Sequence, residues 1–392
     1  MLRMLTDRVW GETPLPAVKT KFVCKGGCMK RLSSIAIFSI LIPYINFLTP
    51  LHSVSKNDRT DALSSATCVA KKKSIPSELS IKIFGKVEKK YNLNAEYLSN
   101  MSTVRIRARE VGSDGKISGV YIYYGIPLYF LLDGIAPLKN KNDIFDRPLD
   151  IIVTFISESG KTSNFSYGEL TMCNDNNPVT LAFYRSQLLP SKGSELYQKN
   201  SLAGYLKKFR LICPGDLYDN RYLNNVVAIK FSVIKTSDHL LPKLSVGRKC
   251  VSENLFCIKN GKKTKSSENN VRMKTVSNWF RIGHGRGIKS EKLDKVTGYD
   301  LRSWLLENFG NGKPDDFFMF VGCDGYRALF SWIEIFQTSN GEKIILITAK
   351  NNISEKRGLT LGPLGDFFID RGIWGLVCVE KVTFCKSHKK DW

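Results

Sequence analysis

One ordered set of local patterns occurs twice in this chain, and that recurrence constrains the fold more than any composition value. A Gly ahead of a Leu-rich stretch reads Tyr124-Gly125-Ile126-Pro127-Leu128-Tyr129-Phe130-Leu131-Leu132 in the first half. In the second it reads Thr297-Gly298-Tyr299-Asp300-Leu301-Arg302-Ser303-Trp304-Leu305-Leu306. Both place apolar residues at helical spacing after a turn. A strand, a Gly turn, a second strand and a short helix follow, over residues 150–170 and 316–335. Gly160 and Gly325 supply the positive φ of a tight hairpin, and Ser166 and Ser331 stand where an N-cap would start the helix. Apolar strands come next at 179–183 and 343–348. Each copy then closes with a strand, a Pro/Gly/Asp turn and a last strand, over 209–231 and 359–380. Four matches in one order predict a tandem duplication. Each copy reads as α+β, with mixed sheets and short helices. Leu128, Leu131, Leu132, Leu301, Leu305 and Leu306 are expected to pack against the sheets.

The first copy resembles the molybdopterin-binding domain of the sulfite oxidase family. The likeness starts at Leu79-Ser80-Ile81-Lys82-Ile83-Phe84-Gly85-Lys86-Val87-Glu88, similar to that family's opening strand, and continues through the helix start at 91–98. Tyr124-Gly125-Ile126-Pro127-Leu128 with Leu131-Leu132 is similar to the family's Gly-Val-Pro-Leu motif and its Leu-Leu pair. Leu211-Ile212-Cys213-Pro214-Gly215-Asp216 resembles the late Pro-Gly turn, and 221–229 the closing strand. The second copy matches more weakly and lacks the Pro. The resemblance implies two tandem sulfite-oxidase-like domains. It also implies a molybdenum held by a Cys thiolate on the strand before the Gly-x-Pro-Leu motif. That strand is 103–110 in the first copy and 276–284 in the second, and neither contains Cys. Cys173 and Cys323 lie elsewhere in the order of elements. The fold therefore carries over and the redox reaction does not: no catalytic residue, no metal ligand and no cofactor are expected, with molybdopterin the one cofactor the resemblance leaves open.

Residues 35–48 form an apolar run too short for a comfortable membrane span, preceded by Lys30 and Arg31 and followed by Ser53 and Ser55. That order describes a secretory signal starting at Met29. An uncleaved anchor and a buried core helix are the alternatives. The expected organisation is an upstream extension at 1–28, a signal peptide at 29–55, a linker at 56–73 and a first domain at 74–237. A linker at 238–250, a second copy at 251–385 and a basic tail at 386–392 follow. The exported part would be periplasmic or extracellular, with no span after cleavage. Of ten cysteines, eight lie beyond residue 28. Cys250/Cys257 and Cys378/Cys385 are near pairs. Spacing does not assign connectivity, and buried free thiols are an equal alternative.

The net charge is +23. Residues 243–289 hold twelve basic and two acidic residues, whereas 290–392 hold fourteen of each. Such a patch suits a polyanion, an acidic partner or an anionic surface, or simply keeps a loop solvated. No nucleic-acid-binding signature accompanies it. Arg105 and Arg107 alternate with Val104, Ile106 and Ala108, which puts both guanidiniums on one strand face. The resembling family points that face at its pterin, and an Arg pair grips phosphate or carboxylate; a solvated face is the plain alternative. Arg281, His284 and Arg286, set among three glycines, form a second candidate anion site or a flexible basic loop. Asp216 and Asp366 each follow Gly and are expected to cap their own turns. Three functional readings remain. The first is an exported, non-catalytic binding protein holding an anionic small molecule or acidic protein partner. The others are a molybdopterin-dependent oxidoreductase and an envelope polyanion-binding protein acting through 243–289. Oligomeric state is not readable.

Overall fold

The computed structural model describes residues 73–139, 145–173, 177–188, 203–245, 250–285 and 287–384. The proposed extension, signal peptide and basic tail, with Cys24, Cys28, Cys68 and Cys385, lie outside them. The first half runs β1 (Ser80–Gly85), β2 (Tyr91–Asn94), α1 (Ala95–Ser99), β3 (Val104–Val111), β4 (Ile117–Pro127) and α2 (Leu128–Asp133). It continues through β5 (Ile151–Ser157), β6 (Thr162–Ser166), α3 (Tyr167–Thr171), β7 (Thr180–Gln187), β8 (Ala203–Ile212) and β9 (Leu223–Val233). The second half runs β10 (Phe256–Lys259), β11 (Lys262–Lys265), β12 (Met273–Gly285), β13 (Gly287–Asp300), α4 (Leu301–Phe309) and β14 (Asp316–Gly322). It ends with β15 (Arg327–Ser331), α5 (Trp332–Phe336), β16 (Ile344–Lys350), β17 (Ile353–Ser354), β18 (Thr360–Pro363) and β19 (Leu376–Thr383). The architecture is mostly β, with mixed sheets and few, short helices. No described helix is long and apolar enough to cross a membrane.

Strand pairing is alike in the two halves. β1 pairs antiparallel with β2 and parallel with β9, while β9 also pairs antiparallel with β5. β10 does the same with β11 and β19, and β19 with β14. A second group pairs β3, β4, β7 and β8 in one half and β12, β13, β16 and β18 in the other. The halves differ where these groups meet. Ten-residue β8 reaches β9 and joins everything into one nine-stranded sheet, whereas four-residue β18 leaves two five-stranded sheets.

The Gly of the repeated motif has a different cause from the one expected. Gly125 and Gly298 lie inside strands β4 and β13, each beside a register shift, rather than in a turn. A Cβ on Gly125 would stand 2.4 Å from the Leu181 carbonyl oxygen, and one on Gly298 2.1 Å from that of Leu346. Only a residue without Cβ lets the neighbouring backbone approach so closely. The hairpin glycines do take positive φ, 82° at Gly160 and 80° at Gly325.

Helix α2 buries Leu128, Leu131 and Leu132. In α4 the buried set is Leu301, Trp304, Leu305 and Phe309, and Leu306 is exposed. The i, i+3, i+4, i+8 stripe therefore runs through Trp304 and leaves Leu306 outside it. The halves also share a core, in which Ile152, Ile234 and Leu241 pack with Phe317, Met319, Val321 and Leu329. Residues around 238–241, read above as the start of a linker, join this core through Leu241.

The near pair Cys250/Cys257 forms no bridge, and the other, Cys378/Cys385, lies partly outside the described residues. Cys250 is bonded to Cys323, closing a separation of 73 residues. Cys257 and Cys378 sit one register apart on neighbouring strands, which directs them to opposite sheet faces and into different apolar clusters. Loop-closure entropy gives the Cys250–Cys323 bridge about 4 kcal/mol of stabilisation. Cys323→Ser is accordingly expected to lower the thermal midpoint by several degrees under oxidising conditions, and reductant to lower that of the wild type by as much.

Candidate functional site

The site grows from two copies of one short sequence, Ser166-Tyr167-Gly168-Glu169 and Ser331-Trp332-Ile333-Glu334. In each, the serine hydroxyl accepts a hydrogen bond from the glutamate's backbone N–H, at 3.1 Å in α3 and 2.9 Å in α5, and so caps its helix. An ordinary capping box would turn the glutamate carboxylate back onto its own N-cap. Here the carboxylates cross between the halves. Ser331 Oγ donates to Glu169 Oε2 at 3.0 Å, and Ser166 Oγ donates to Glu334 Oε2 at 3.4 Å.

Each glutamate also holds an arginine from the closing turn of its own half. Arg221 Nη1 donates to Glu169 Oε1 at 2.5 Å, while its Nε and Nη2 form a fork with Asp216 at 2.8 and 2.6 Å. Arg371 does the same with Glu334 at 2.5 Å and with Asp366 at 2.7 and 2.6 Å. The guanidiniums lie over Phe165 and Phe330, 4.2 and 4.4 Å from the ring centroids. Asp216 and Asp366 thus anchor arginines instead of only capping their turns. Main-chain bonds reinforce the crossing: Leu217 N–H donates to Gln337 O at 2.7 Å and Phe367 N–H to Met172 O at 2.9 Å. Gly168 leaves room for the Arg371 stem, because a Cβ there would stand 2.3 Å from Arg371 Cδ.

Four carboxylates face two guanidiniums in this buried cluster. The mismatch falls on Glu334. Burial raises its carboxyl to about 8; Arg371 opposes the shift, and Glu169 and Asp366 add to it. Cys173 makes the two sides unequal, since Thr338 occupies the matching place in the second half. Arg371 Nη2 donates to Cys173 Sγ at 3.3 Å, and the sulfur faces Asp366 Oδ1 at 3.7 Å and Glu334 Oε1 at 3.9 Å. Burial pushes this thiol well above its usual range; Arg371 works against that, and Asp366 and Glu334 reinforce it.

A cavity of about 430 Å³ opens beside the cluster, between the halves. Its walls include Asp133, Glu169, Asp216, Glu334, Arg221 and Cys173, with Tyr129, Phe367 and Phe368. Cys173 therefore does reach a hollow, contrary to the expectation from the order of elements. The set does not fit molybdopterin. The guanidinium of Arg221, the arginine in its wall, is engaged by Glu169 and Asp216, and the remaining carboxylates repel a phosphate. Among the described residues no group of three or more His, Cys, Asp and Glu side chains is arranged to hold a metal ion. Cys213 is buried elsewhere against the Arg221 carbonyl oxygen, and Cys323 is bridged.

Of the sequence-derived candidates, Arg105 and Arg107 lie apart from this cavity. Arg105 and Arg107 alternate with buried Ile106 and Ala108, as expected, and their face is exposed on β3, the sheet's edge strand. Residues 281–285 form the end of β12 and pair with β13, so that stretch is strand and not loop. Only the backbone of Arg281 and His284 is described, and Arg286 lies outside the described residues. The missed signal was the repetition of Gly-Asp followed five residues later by Arg, at Asp216/Arg221 and Asp366/Arg371.

No family model matches the sequence, and no curated protein matches it. Among solved structures, the sulfane dehydrogenase SoxCD of Paracoccus pantotrophus overlaps 79% of this chain and 79% of its own, at 13% identity and a TM-score of 0.28. An overlap that loose assigns neither function nor a detailed fold.

Removing Arg371 leaves Asp366 buried without its counter-charge and Glu334 without its hydrogen-bond donor, so Arg371→Met is expected to cost about 3–5 kcal/mol in urea unfolding. Glu334 carries a pH signature. Its folded value lies above the unfolded one, so the folded state holds the extra proton. The associated stability is complete below the unfolded value near 4.5 and is lost as pH rises towards about 8. Glu334→Gln mimics the protonated acid. Unfolding measured from pH 5 to 8 should show the wild type declining relative to this variant; parallel profiles would contradict the assignment.

Proposed function

We propose that the chain is an exported, non-catalytic binding protein, a duplicated fold of the sulfite-oxidase type that seats a ligand in the cavity between its halves. The duplication is supported by the recurrence of the same strand pairings in each half, and by Ser166, Glu169, Asp216 and Arg221 recurring as Ser331, Glu334, Asp366 and Arg371. The exported address is supported by the Cys250–Cys323 bridge, since such bonds persist in oxidising compartments.

One observation carries the binding reading: the groups that could act on a substrate are engaged in holding the protein together. Both guanidiniums are forked onto carboxylates, both serines cap helices, and the Cys173 thiol accepts from Arg371 and faces Glu334 and Asp366. An open cavity remains beside them. Its excess of carboxylates favours a cationic group over the anion suggested by the arginine pairs. Asp133 accepts no hydrogen bond among the described residues, and Tyr129 and Phe367, both about half exposed, supply aromatic surface for the ligand body.

Melting with butylamine and with inorganic phosphate tests this. Butylamine at saturating concentration should raise the midpoint of the wild type and leave that of Asp133→Asn unchanged, and phosphate should do nothing. Stabilisation by phosphate that is retained or strengthened in Asp133→Asn would contradict the cationic ligand. Stoichiometric molybdenum in protein made by a molybdenum-replete host would instead favour the oxidoreductase reading.

A further inference from the structure

The strongest unassigned feature outside the cavity is the lysine-bearing edge of the second half. β10 and β11 are joined by Asn260 and Gly261, whose φ values of 50° and 72° make a tight two-residue turn of the kind that matches strand twist. β11 is an edge strand, and all four of its residues are exposed. Lys262, Lys263 and Lys265 lie on it, Lys259 faces Lys262 across the hairpin, and no acidic residue occurs between Glu253 and Glu268. Lys263 Nζ sits 4.5 Å over the Phe256 ring, which props its ammonium at the surface.

The charge does not stop at the strand. A hollow of about 460 Å³ beside the hairpin's turn is walled by Lys259, Lys313 and Lys381, with Asn260 and Asn311 beside them. Its acidic members are engaged internally. Asp316 binds Lys381 Nζ at 2.9 Å, Thr383 Oγ1 at 2.6 Å and Lys313 N–H at 2.7 Å, and Glu380 accepts from Ser237 N–H at 2.9 Å. Lysines on an edge strand commonly guard against strand-to-strand aggregation. That role needs charge on β11 alone and does not account for Lys313, which lies off that strand, or for Lys259, whose ammonium donates to Phe309 O at 3.4 Å at the edge of the hollow.

We propose that the β10–β11 hairpin and the hollow beside its turn dock a linear anionic polymer, an acidic polysaccharide being the partner class. Strand alternation sends Lys263 and Lys265 to one face and Lys262 to the other, so the ammoniums surround a narrow ridge. A flexible chain of anions can follow such a ridge, with one anionic group seated in the hollow. A flat bilayer meets only one of its faces. The hairpin also carries no exposed apolar side chain to enter lipid, and no exposed aromatic ring on which nucleic-acid bases would stack.

Heparin serves as the probe. The full chain should bind immobilised heparin and elute with rising salt, because screening weakens such contacts. The triple variant K262Q/K263Q/K265Q should elute at clearly lower salt. R105Q/R107Q/R109Q removes the same charge from the exposed face of β3 and should elute with the wild type. Equal shifts in both variants would reduce the effect to net charge and overturn the proposal. So would preferential binding to phosphatidylglycerol vesicles or to single-stranded DNA over heparin at equal salt. Amine labelling of the unaltered protein gives a readout independent of variant folding. Heparin should protect Lys259, Lys262, Lys263, Lys265 and Lys313 from acetylation, and protection confined to other lysines would overturn the assignment.

Discussion

The crossing of two glutamates between the halves is the interaction on which the rest depends. Each half supplies a helix too short to be stable alone and caps it with its own serine. Each then gives its glutamate to the other half's serine. The carboxylates are thereby desolvated, and a desolvated carboxylate is tolerable only when strongly compensated. Arg221 and Arg371 supply that compensation from the closing turns, and Asp216 and Asp366 hold the arginines in plane through paired hydrogen bonds. Helix caps, turns and the junction between halves are thus one bonded unit. Loss of any member leaves buried charge behind.

The same arrangement shapes the chemistry of the adjacent cavity. Nucleophiles are present in its neighbourhood, but their hydrogen-bonding capacity is engaged. Cys173 illustrates the point. Beside a free guanidinium it would be an activated thiolate. Here burial raises the thiol most, Arg371 works against that, and Asp366 and Glu334 add to it. Burial, with the excess of carboxylate over guanidinium added to it, raises the Glu334 carboxyl, and carboxylates outnumber guanidiniums in the cavity wall. The exposed lysines of β10 and β11 give the second half's sheet edge the opposite character.

Much of the element order was legible in the sequence because it rests on local rules. Glycine at a hairpin centre, serine at an N-cap and leucines at helical spacing each act within a few residues, and Gly160, Gly325, Ser166, Ser331, Leu128 and Leu131 behave as those rules require. Calls that needed knowledge of neighbours fared differently. Gly125 was read as a turn residue because the carbonyl of Leu181, which demands the missing Cβ, comes from a strand more than fifty residues away. Leu306 was assigned to the core, although the bulk of Trp304 takes that place. Alternation correctly put Arg105 and Arg107 on one face, but it cannot say that β3 lies at a sheet edge. The cluster itself was written in both halves as Ser-x-x-Glu and as Gly-Asp with Arg five residues on. A one-sequence reading gave each piece its commonest local role, and only the meeting of the halves joins them.

The central claim is that these crossed contacts couple the halves energetically, and a double-mutant cycle on Ser331 and Glu169 tests it most directly. Unfolding of the wild type, Ser331→Ala, Glu169→Gln and the double variant gives the interaction energy between two residues that belong to different halves. Coupling of about 1 kcal/mol or more is the expected result for a buried, charge-assisted hydrogen bond. Additive effects of the two substitutions would show that the serine and the glutamate act independently, and the crossed lock would then not be what joins the halves.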